Sequence, residues 1–542
     1  MTDSSWGPVT DTRTLGDVVV SGAKQWPDHP ALVIDRVPIT YAEADDRSNR
    51  TAAALHALGV RHGDRVALLV ENCIEIADVW FACGKTGAIE VALNTAYRGD
   101  YLRHQLLNCL PRVLVIAAEY VDRLPDTELE GLAAVLVRGS LDGLPETLLG
   151  APVLPVTHLL DGDPETLPPA EVTYADPLMI VYTGGTTGPS KGVVLPHRAV
   201  INAADTSFRN RGGREGDVVY SPLPLFHLNA HMVTVLGPML HGGTGVLDQR
   251  FSVSQFWDRV DEVGADHIAI LGAMLTMVWN LPPSERDAQH GVRVLIGAPI
   301  SADMREQWES RYDLKVSQGF ALTECTPICS RPIWLDSPPG SSGIPVESVE
   351  VRLFDDSDHE VPVGSIGEVC VRPRQPSVMF TEYFRNPEAT RAVWRNGWFH
   401  TGDLGRFDSN GFFYFEDRKK DYLRRRGENV SSFEVERTVR GFGGIADVAA
   451  IGVPSEFTED DCLVAVVPAP GVTIEPFELI RYCVDNMPFF AVPRYVRLVE
   501  ELPKSPVGKI LKYVLREQGT TGAFDLEAHG YRVNREGLVP TR

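Results

Sequence analysis

The sequence predicts an α/β protein built on parallel sheet, followed by a smaller C-terminal unit. Three observations carry this. Short apolar runs alternate with helix-period segments through the first 120 residues. The same alternation resumes after a proline-rich stretch and continues to about Asp417. A cationic island at 418–426 then precedes a stretch with its own strand and helix patterns.

The elements follow in order. Tyr41 to Leu58 reads as a helix, with Ala52, Ala53, Leu55 and Leu58 as apolar positions along its second half. Arg65 to Val70 is a short apolar run after a Gly-Asp turn, hence a buried strand. Ile74 to Thr86 reads as a helix, and Val91-Ala92-Leu93 opens the next strand. Between Ser140 and Pro177 lie seven prolines (Pro145, Pro152, Pro155, Pro164, Pro168, Pro169 and Pro177), and their fixed φ and missing N–H predict a surface connection. Leu178 to Tyr182 is again a strand. Near the end, Val448–Val453 and Cys462–Val467 read as strands, and Ser431 and Glu434 have the spacing of a capping box, so a helix starts there. No internal repeat or low-complexity tract occurs.

Composition excludes several classes. With 542 residues, 44% hydrophobic and 23% charged, the chain has the balance of a globular protein and ample material for a core. Acids outnumber bases 73 to 51, giving a net charge of -22, which disfavours a nucleic-acid partner. No apolar run reaches the roughly 18 residues that span a bilayer. Met1 to Trp6 lacks the features of a signal peptide, and Val539 to Arg542 carries no prenylation or peroxisome signal. A cytoplasmic protein without membrane insertion, monomer or homodimer, is expected. Eight scattered cysteines with no C-x-x-C read as reduced thiols.

The strand at Leu178 runs into Thr183-Gly184-Gly185-Thr186-Thr187-Gly188-Pro189-Ser190-Lys191-Gly192. Glycines let a backbone approach an anion, Thr hydroxyls and N–H groups donate to phosphate oxygens, and Lys191 adds charge. A flexible surface turn is the bland alternative. The spacing is not that of a Walker A loop, because Ser190 precedes the lysine and Gly192 follows it. The stretch resembles the phosphate loop of the adenylate-forming (AMP-binding) superfamily, in its acyl-CoA synthetase and carnitine–CoA ligase branch. It departs from the usual Y-T-S-G-T-T-G-x-P-K-G at Gly184, where a serine hydroxyl is usual.

Further motifs occur in that family's order. Gln318-Gly319-Phe320-Ala321-Leu322-Thr323-Glu324 resembles Q-G-Y-G-x-T-E. The resemblance implies adenine stacking on Phe320, an α-phosphate contact from Thr323 and Mg²⁺ on Glu324; an aromatic ring and a hard carboxylate suit those ligands. Gly297-Ala298-Pro299 resembles the segment that lies along the adenine. Trp398 to Asp403 is similar to W-x-x-T-G-D, with Asp403 on the ribose. Asp417 to Asp421 resembles the hinge motif, with Arg418 on the ribose and Lys420 as pivot. Arg424-Arg425-Arg426-Gly427 is either a solvated charged face or a docking patch beside a thiol tunnel at Gly427. Pro503-Lys504 to Gly508-Lys509 resembles P-K-x-x-x-G-K, which makes Lys509 the catalytic lysine. Trp80 to Ala88 resembles the helix before the second nucleotide-side strand, and Pro224 to Asn229 the loop that places an aromatic or His gate, here His227, by the carboxylate.

The resemblance implies an α/β fold with a large N-terminal domain of αβαβα-type sheets plus a β-subdomain (1–418), a hinge (419–421) and a small mobile α+β lid (422–542). It implies ATP-dependent activation of a small carboxylic acid as acyl-AMP, then transfer to CoA, with ATP, Mg²⁺ and CoA taking part. In place of the second glycine of Q-G-Y-G-x-T-E stands Ala321, whose methyl narrows the acyl channel, so a short, aryl or unsaturated acid is expected. Three alternatives stay open. An amino-acid adenylating enzyme usually has Asp where His227 stands. Adenylation of another oxyanion such as nitrite, with transfer to an amine, would leave the nucleotide motifs unchanged. A non-catalytic nucleotide-binding regulator would have no need of Lys509, Glu324, Asp403 and Arg418 together.

Overall fold

In the computed structural model the described residues are 12–183, 189–271, 273–297, 300, 302–418, 422–456, 459–503 and 510–541. Their local structure follows the sequence closely. The predicted first helix is Tyr41–Ala57, opened by Thr40, which accepts from the Glu43 N–H while the Glu43 carboxylate accepts from the Thr40 N–H. The strand Arg65–Leu69 and helix Ile74–Thr86 also stand where expected, and the helix stops at Gly87 in the left-handed region.

Two large sheets organise the first 320 residues or so. Among the described residues one has nine strands in the order Glu382–Tyr383, Lys191–Pro196, Pro177–Thr183, Ile89–Ala92, Arg65–Leu69, Val113–Ala117, Ala134–Arg138, Ala151–Pro155, Thr147–Leu148. The other has seven, in the order Lys315–Ser317, Val294–Ile296, His267–Ala269, Val218–Ser221, Thr244–Leu247, Pro30–Ile34, Val37–Thr40. Their central pairings are parallel, as helix crossovers require. Helices pack between them: the ring of Trp80, on Ile74–Thr86, meets the His231 ring of the π-helical turn Ala230–Leu236 edge-on at 4.6 Å. Trp80, Phe81 and Leu68 are fully enclosed there.

The proline-rich stretch corrects its expectation in part. Ala151–Pro155 is not a loop but a parallel strand against Ala134–Arg138, with Val153 opposite Val135. Proline is tolerated because this strand lies one short strand from the sheet's edge, where few ladder donors are needed.

After Gln318 the chain builds antiparallel sheet. Val349–Phe354, Gly367–Pro373, Trp398–Phe407 and Phe413–Arg418 pair in series. The next strand, Tyr422–Arg425, pairs instead with Glu428–Ser431. Beyond it the helix Ser432–Arg440 begins at Ser431, whose hydroxyl accepts from the Glu434 N–H as the capping spacing predicts. The strands Ile445–Pro454 and Asp460–Pro468 then form a small sheet carrying its own buried cluster of Ala449, Ile451, Leu463 and Ala465. All eight cysteines are buried, and none is joined in a disulfide. Among the described residues no helix is long and apolar enough to cross a membrane.

Candidate active site

The large sheets, the antiparallel subdomain and the C-terminal unit meet around a cavity of about 920 Å³. Residues more than 300 positions apart share its wall: Asn94, Thr183, Lys191, His227, Ala321, Thr323, Glu324, Asp403, Arg424, Gly427 and Glu428.

The phosphate loop is framed by an antiparallel pair in which Lys191 stands opposite Thr183. Gly184, Gly185, Thr186 and Thr187 lie outside the described residues, as do Ala298, Pro299, Lys420 and Lys509. The Lys191 ammonium lies 4.8 Å above the Tyr383 ring, and the Tyr383 hydroxyl donates to Glu324 Oε1 at 2.7 Å. One tyrosine thus braces both the loop lysine and the carboxylate of the Thr323-Glu324 segment. Gly297 ends the strand Val294–Ile296, where an added Cβ would press on Leu275 at 3.3 Å.

Asp403 is 2% exposed yet on the cavity wall. Its strand pairs it directly with Arg418, so the two residues expected on one ribose come from facing positions of one ladder. Gly402 before it has φ 76°, a conformation glycine adopts without cost. Thr401 donates to the Val369 carbonyl at 2.8 Å and fixes the turn.

Phe320 departs from expectation. Its ring is packed against Phe413 at 5.0 Å and Phe415 at 5.9 Å, is 8% exposed, and is not on the cavity wall. Gly319, its neighbour, pairs so closely with the next strand that a Cβ would stand 2.6 Å from the Cys329 carbonyl. Ala321 does face the cavity.

Arg425 also corrects its expectation. It is buried, ion-paired with Asp461 at 3.0 Å and bonded to the Phe490 and Val492 carbonyls, so it ties the C-terminal unit together internally. Arg426 and Gly427 form the tip of a two-residue hairpin with φ 55° and 80°. A Cβ on Gly427 would meet nothing within 4 Å, so backbone conformation rather than space demands glycine there.

That hairpin brings in a residue the sequence reading passed over. Glu428 Oε1 accepts from His227 Nε2 at 3.1 Å and from Asn94 Nδ2 at 3.2 Å. Burial opposes charge on both partners, but each counter-charge outweighs it: the His227 pKa is raised and the Glu428 pKa lowered. A second contact couples the same units. Glu434 Oε1 accepts from the Ser190 N–H beside the phosphate loop at 3.1 Å, and burial lifts its pKa to about 7. The positions in these contacts are 201 and 244 residues apart, so no local pattern exposes them.

Two further buried groups flank the cavity. Glu90 pairs with His231 at 3.2 Å, both essentially unexposed, behind the wall made by Ala92 and Met232. Glu368, Cys370 and His400 gather three possible ligand atoms within 4.8 Å. The Arg395 guanidinium stands 2.6 Å from His400 Nδ1 and so competes with any cation there. Glu324, an oxygen donor on the cavity wall, suits Mg²⁺ better.

Comparison with known proteins gives the family. Residues 20–384 match the model of the AMP-binding enzyme family, and residues 434–509 that of the AMP-binding enzyme C-terminal domain. The chain belongs to the AMP-binding enzyme family. It is 32% identical to the crotonobetaine/carnitine–CoA ligase of Escherichia coli O7:K1 (strain IAI39 / ExPEC) over 493 residues, covering 88% of this chain and 93% of that one. A crotonobetaine/carnitine–CoA ligase of Salmonella arizonae is likewise 32% identical over 491 residues, 88% of this chain and 93% of its own. Among solved structures, o-succinylbenzoate CoA synthetase (MenE) from Bacillus subtilis, bound with a product analogue, superposes with TM-score 0.80 at 24% identity, covering 94% and 99% of the two chains. The anthranilate CoA ligase AuaEII in complex with anthranoyl-AMP gives 0.69 at 26%, covering 95% and 98%. As a member of the AMP-binding enzyme family the chain is an AMP-forming acid–CoA ligase, working with ATP, Mg²⁺ and CoA.

Proposed function

We propose that this ligase activates a small carboxylic acid, aryl or α,β-unsaturated, and passes the acyl group to CoA within the one cavity described above. The observation that carries this reading is the convergence of Thr183, Glu324 and Asp403 with His227, Gly427 and Glu428 on a single wall.

In the first step a carboxylate oxygen attacks the α-phosphorus of ATP, and the bond to the bridging oxygen breaks with release of pyrophosphate. The reaction brings anion to anion, so it needs placement and charge neutralisation rather than covalent help from the protein. The Thr183–Lys191 loop holds the phosphates, Asp403 and Arg418 the ribose, Thr323 the α-phosphate, and Glu324 the Mg²⁺. Lys509 supplies positive charge at the reacting oxygens. Residues 419–421, with Lys420 as pivot, divide the domain ending at 418 from the lid starting at 422.

In the second step the thiol sulfur attacks the acyl carbon, the carbon–oxygen bond to AMP breaks, and AMP leaves with the electron pair. An ionised carboxylate only accepts, so the Glu428 contact requires the proton on His227 Nε2. In the neutral ring, which forms as pH rises through the raised His227 pKa, Nδ1 then has a lone pair for the thiol proton. The hairpin that carries Glu428 also places Gly427 at the cavity, where the pantetheine arm passes.

The acid would lie against the apolar part of the cavity wall. Leu223, Phe226, Leu228, Met232 and Leu271 line that part, and Ala321 is also on the wall. Overfilling a tight pocket by a methyl costs about 1–3 kcal/mol, which excludes long chains. The relatives named for crotonobetaine, carnitine and anthranilate point the same way. A pyrophosphate-release screen over small acids, with and without CoA, tests the reading. Short or planar acids are expected to release pyrophosphate and to yield a thioester only with CoA. Preference for acids of roughly twelve carbons or more, a volume the Ala321 methyl opposes, contradicts it.

A further inference from the structure

Glu90 and His231 are wholly buried, and neither half-reaction described above uses them. Such a pair is costly to bury, and apolar side chains of similar volume often hold a fold as well or better. Glu90 adds to that cost, because its Oε2 accepts from no group among the described residues. What distinguishes the pair is its place. The Leu93 N–H donates to the Leu68 carbonyl at 2.8 Å, so the ladder of the strand Ile89–Ala92 runs on past its last residue. Side chains alternate along a strand, so Glu90, Ala92 and Asn94 fall on one face. Ala92 and Asn94 are on the cavity wall, and Glu90 lies one step deeper.

That face grips His227 from two sides. On the ring side, Asn94 Nδ2 donates to Glu428 Oε1 at 3.2 Å, and the same oxygen accepts from His227 Nε2 at 3.1 Å. On the main-chain side, Glu90 Oε1 stands 3.2 Å from His231 Nε2, and His231 Nδ1 stands 3.5 Å from the His227 carbonyl oxygen. A carbonyl only accepts, so Nδ1 carries a proton and donates it, while Nε2 and Glu90 share a second proton between them. The same carbonyl accepts from the Ala230 N–H at 3.2 Å, which occupies its other lone pair. The Trp80 ring, edge-on at 4.6 Å, holds the His231 imidazole from the side. Met232, next in the π-helical turn, is on the cavity wall, so this turn joins the buried anchor to the site.

We propose that Glu90 and His231 are positioning residues for the second half-reaction: His231 donates to the main chain of His227, Glu90 fixes the His231 ring, and the His227 imidazole is thereby aimed at the incoming thiol. The inference rests on His227 being the group that takes the thiol proton. Proton transfer tolerates little misplacement, so an anchor of this kind acts on rate rather than on affinity. Glu428 reaches His227 from the hairpin Tyr422–Ser431, whereas Glu90 and His231 belong to the same large sheets and helices as His227 itself. The main-chain anchor is therefore built into the domain that carries His227.

The test is a double-variant cycle on the full chain, with CoA and the acyl-AMP of the best acid in the pyrophosphate screen. Acyl-AMP formation and thioester formation from supplied acyl-AMP are measured separately. Gln places its amide where Nε2 stands and Asn where Nδ1 stands, so His231→Gln keeps the Glu90 contact and drops the His227 one, and His231→Asn does the reverse. His231→Gln is expected to lower kcat for thioester formation roughly tenfold, the scale of one lost hydrogen bond, with the KM for CoA and the rate of acyl-AMP formation unchanged. His231→Asn is expected to recover most of that loss, and Glu90→Gln, which still offers an oxygen to Nε2, to lose less than His231→Gln. In a His227→Ala background, His231→Gln is expected to have no further effect, because nothing is left to position. An equal further loss in that background shows a structural role and overturns the proposal, as does an unchanged kcat in His231→Gln alone; both results leave His227 as the proton acceptor. A matching fall in acyl-AMP formation shows damage to the fold and also overturns it. A His227→Ala enzyme that forms thioester at the wild-type rate overturns the reading of His227 and the proposal with it.

Discussion

At the scale of single residues, the proposal on acid size rests on Ala321. The sequence shows the methyl where the family pattern has a glycine, and the structure turns it into the cavity. Ala321→Gly is expected to admit bulkier acids with about 5- to 150-fold relative gain, the equivalent of about 1–3 kcal/mol, and to leave the KM for ATP unaltered. Comparing kcat/KM over a homologous acid series measures this. His227→Ala is expected to slow thioester formation by about 10²–10⁴ while sparing pyrophosphate release, read by following each product separately. Glu90 belongs to the same scale but was not legible: in the sequence it is one acid within an apolar run. Only the fold shows it wholly buried against His231. Leaving a buried polar group without its partner costs about 1–3 kcal/mol, so Glu90→Ala is expected to lower the denaturation midpoint, whereas a change within the noise of a urea titration would mean the contact adds no stability.

At the scale of elements, local chemistry told most of the story. Apolar periodicity placed the helices Tyr41–Ala57 and Ile74–Thr86 within a residue or two, and the Ser431–Glu434 spacing placed the start of Ser432–Arg440. What failed was anything decided by a partner far along the chain. Ala151–Pro155 became sheet because Ala134–Arg138 offered an edge. Phe320 turned to Phe413 and Phe415, and Arg425 to Asp461, because burial and pairing outweighed the roles their motif positions suggested. The contact between the hairpin and the His227 loop makes a pH prediction. The His227 pKa is raised when the units meet, so docking takes up a proton. The contact is at full strength below the ordinary histidine range, near 6.5, and weakens as pH rises through the raised value. On the acid side it fails only as pH falls through the lowered Glu428 value, below about 4.5. A fluorescence pair on the two units is expected to show their separation growing with pH above neutrality, and Glu428→Gln is expected to flatten that response. An identical curve for both proteins would remove the pair from the account.

At the scale of the molecule, the cavity belongs to no single domain. Its walls come from the large sheets, the antiparallel subdomain and the hairpin Tyr422–Ser431, and in the arrangement seen here that hairpin presents Gly427 and Glu428 to His227 while Glu434 holds Ser190. The resemblance made the two-domain plan legible from ordered motifs alone. It left the interdomain contacts hidden, because they depend on how the units dock. The central claim is that one cavity runs two half-reactions with different residues in charge. Lys509→Ala tests it most directly, with acyl-AMP formation and thioester formation from supplied acyl-AMP measured on the same preparation. The account predicts a fall of about 10²–10³ in the first and little change in the second. An equal fall in both would contradict it.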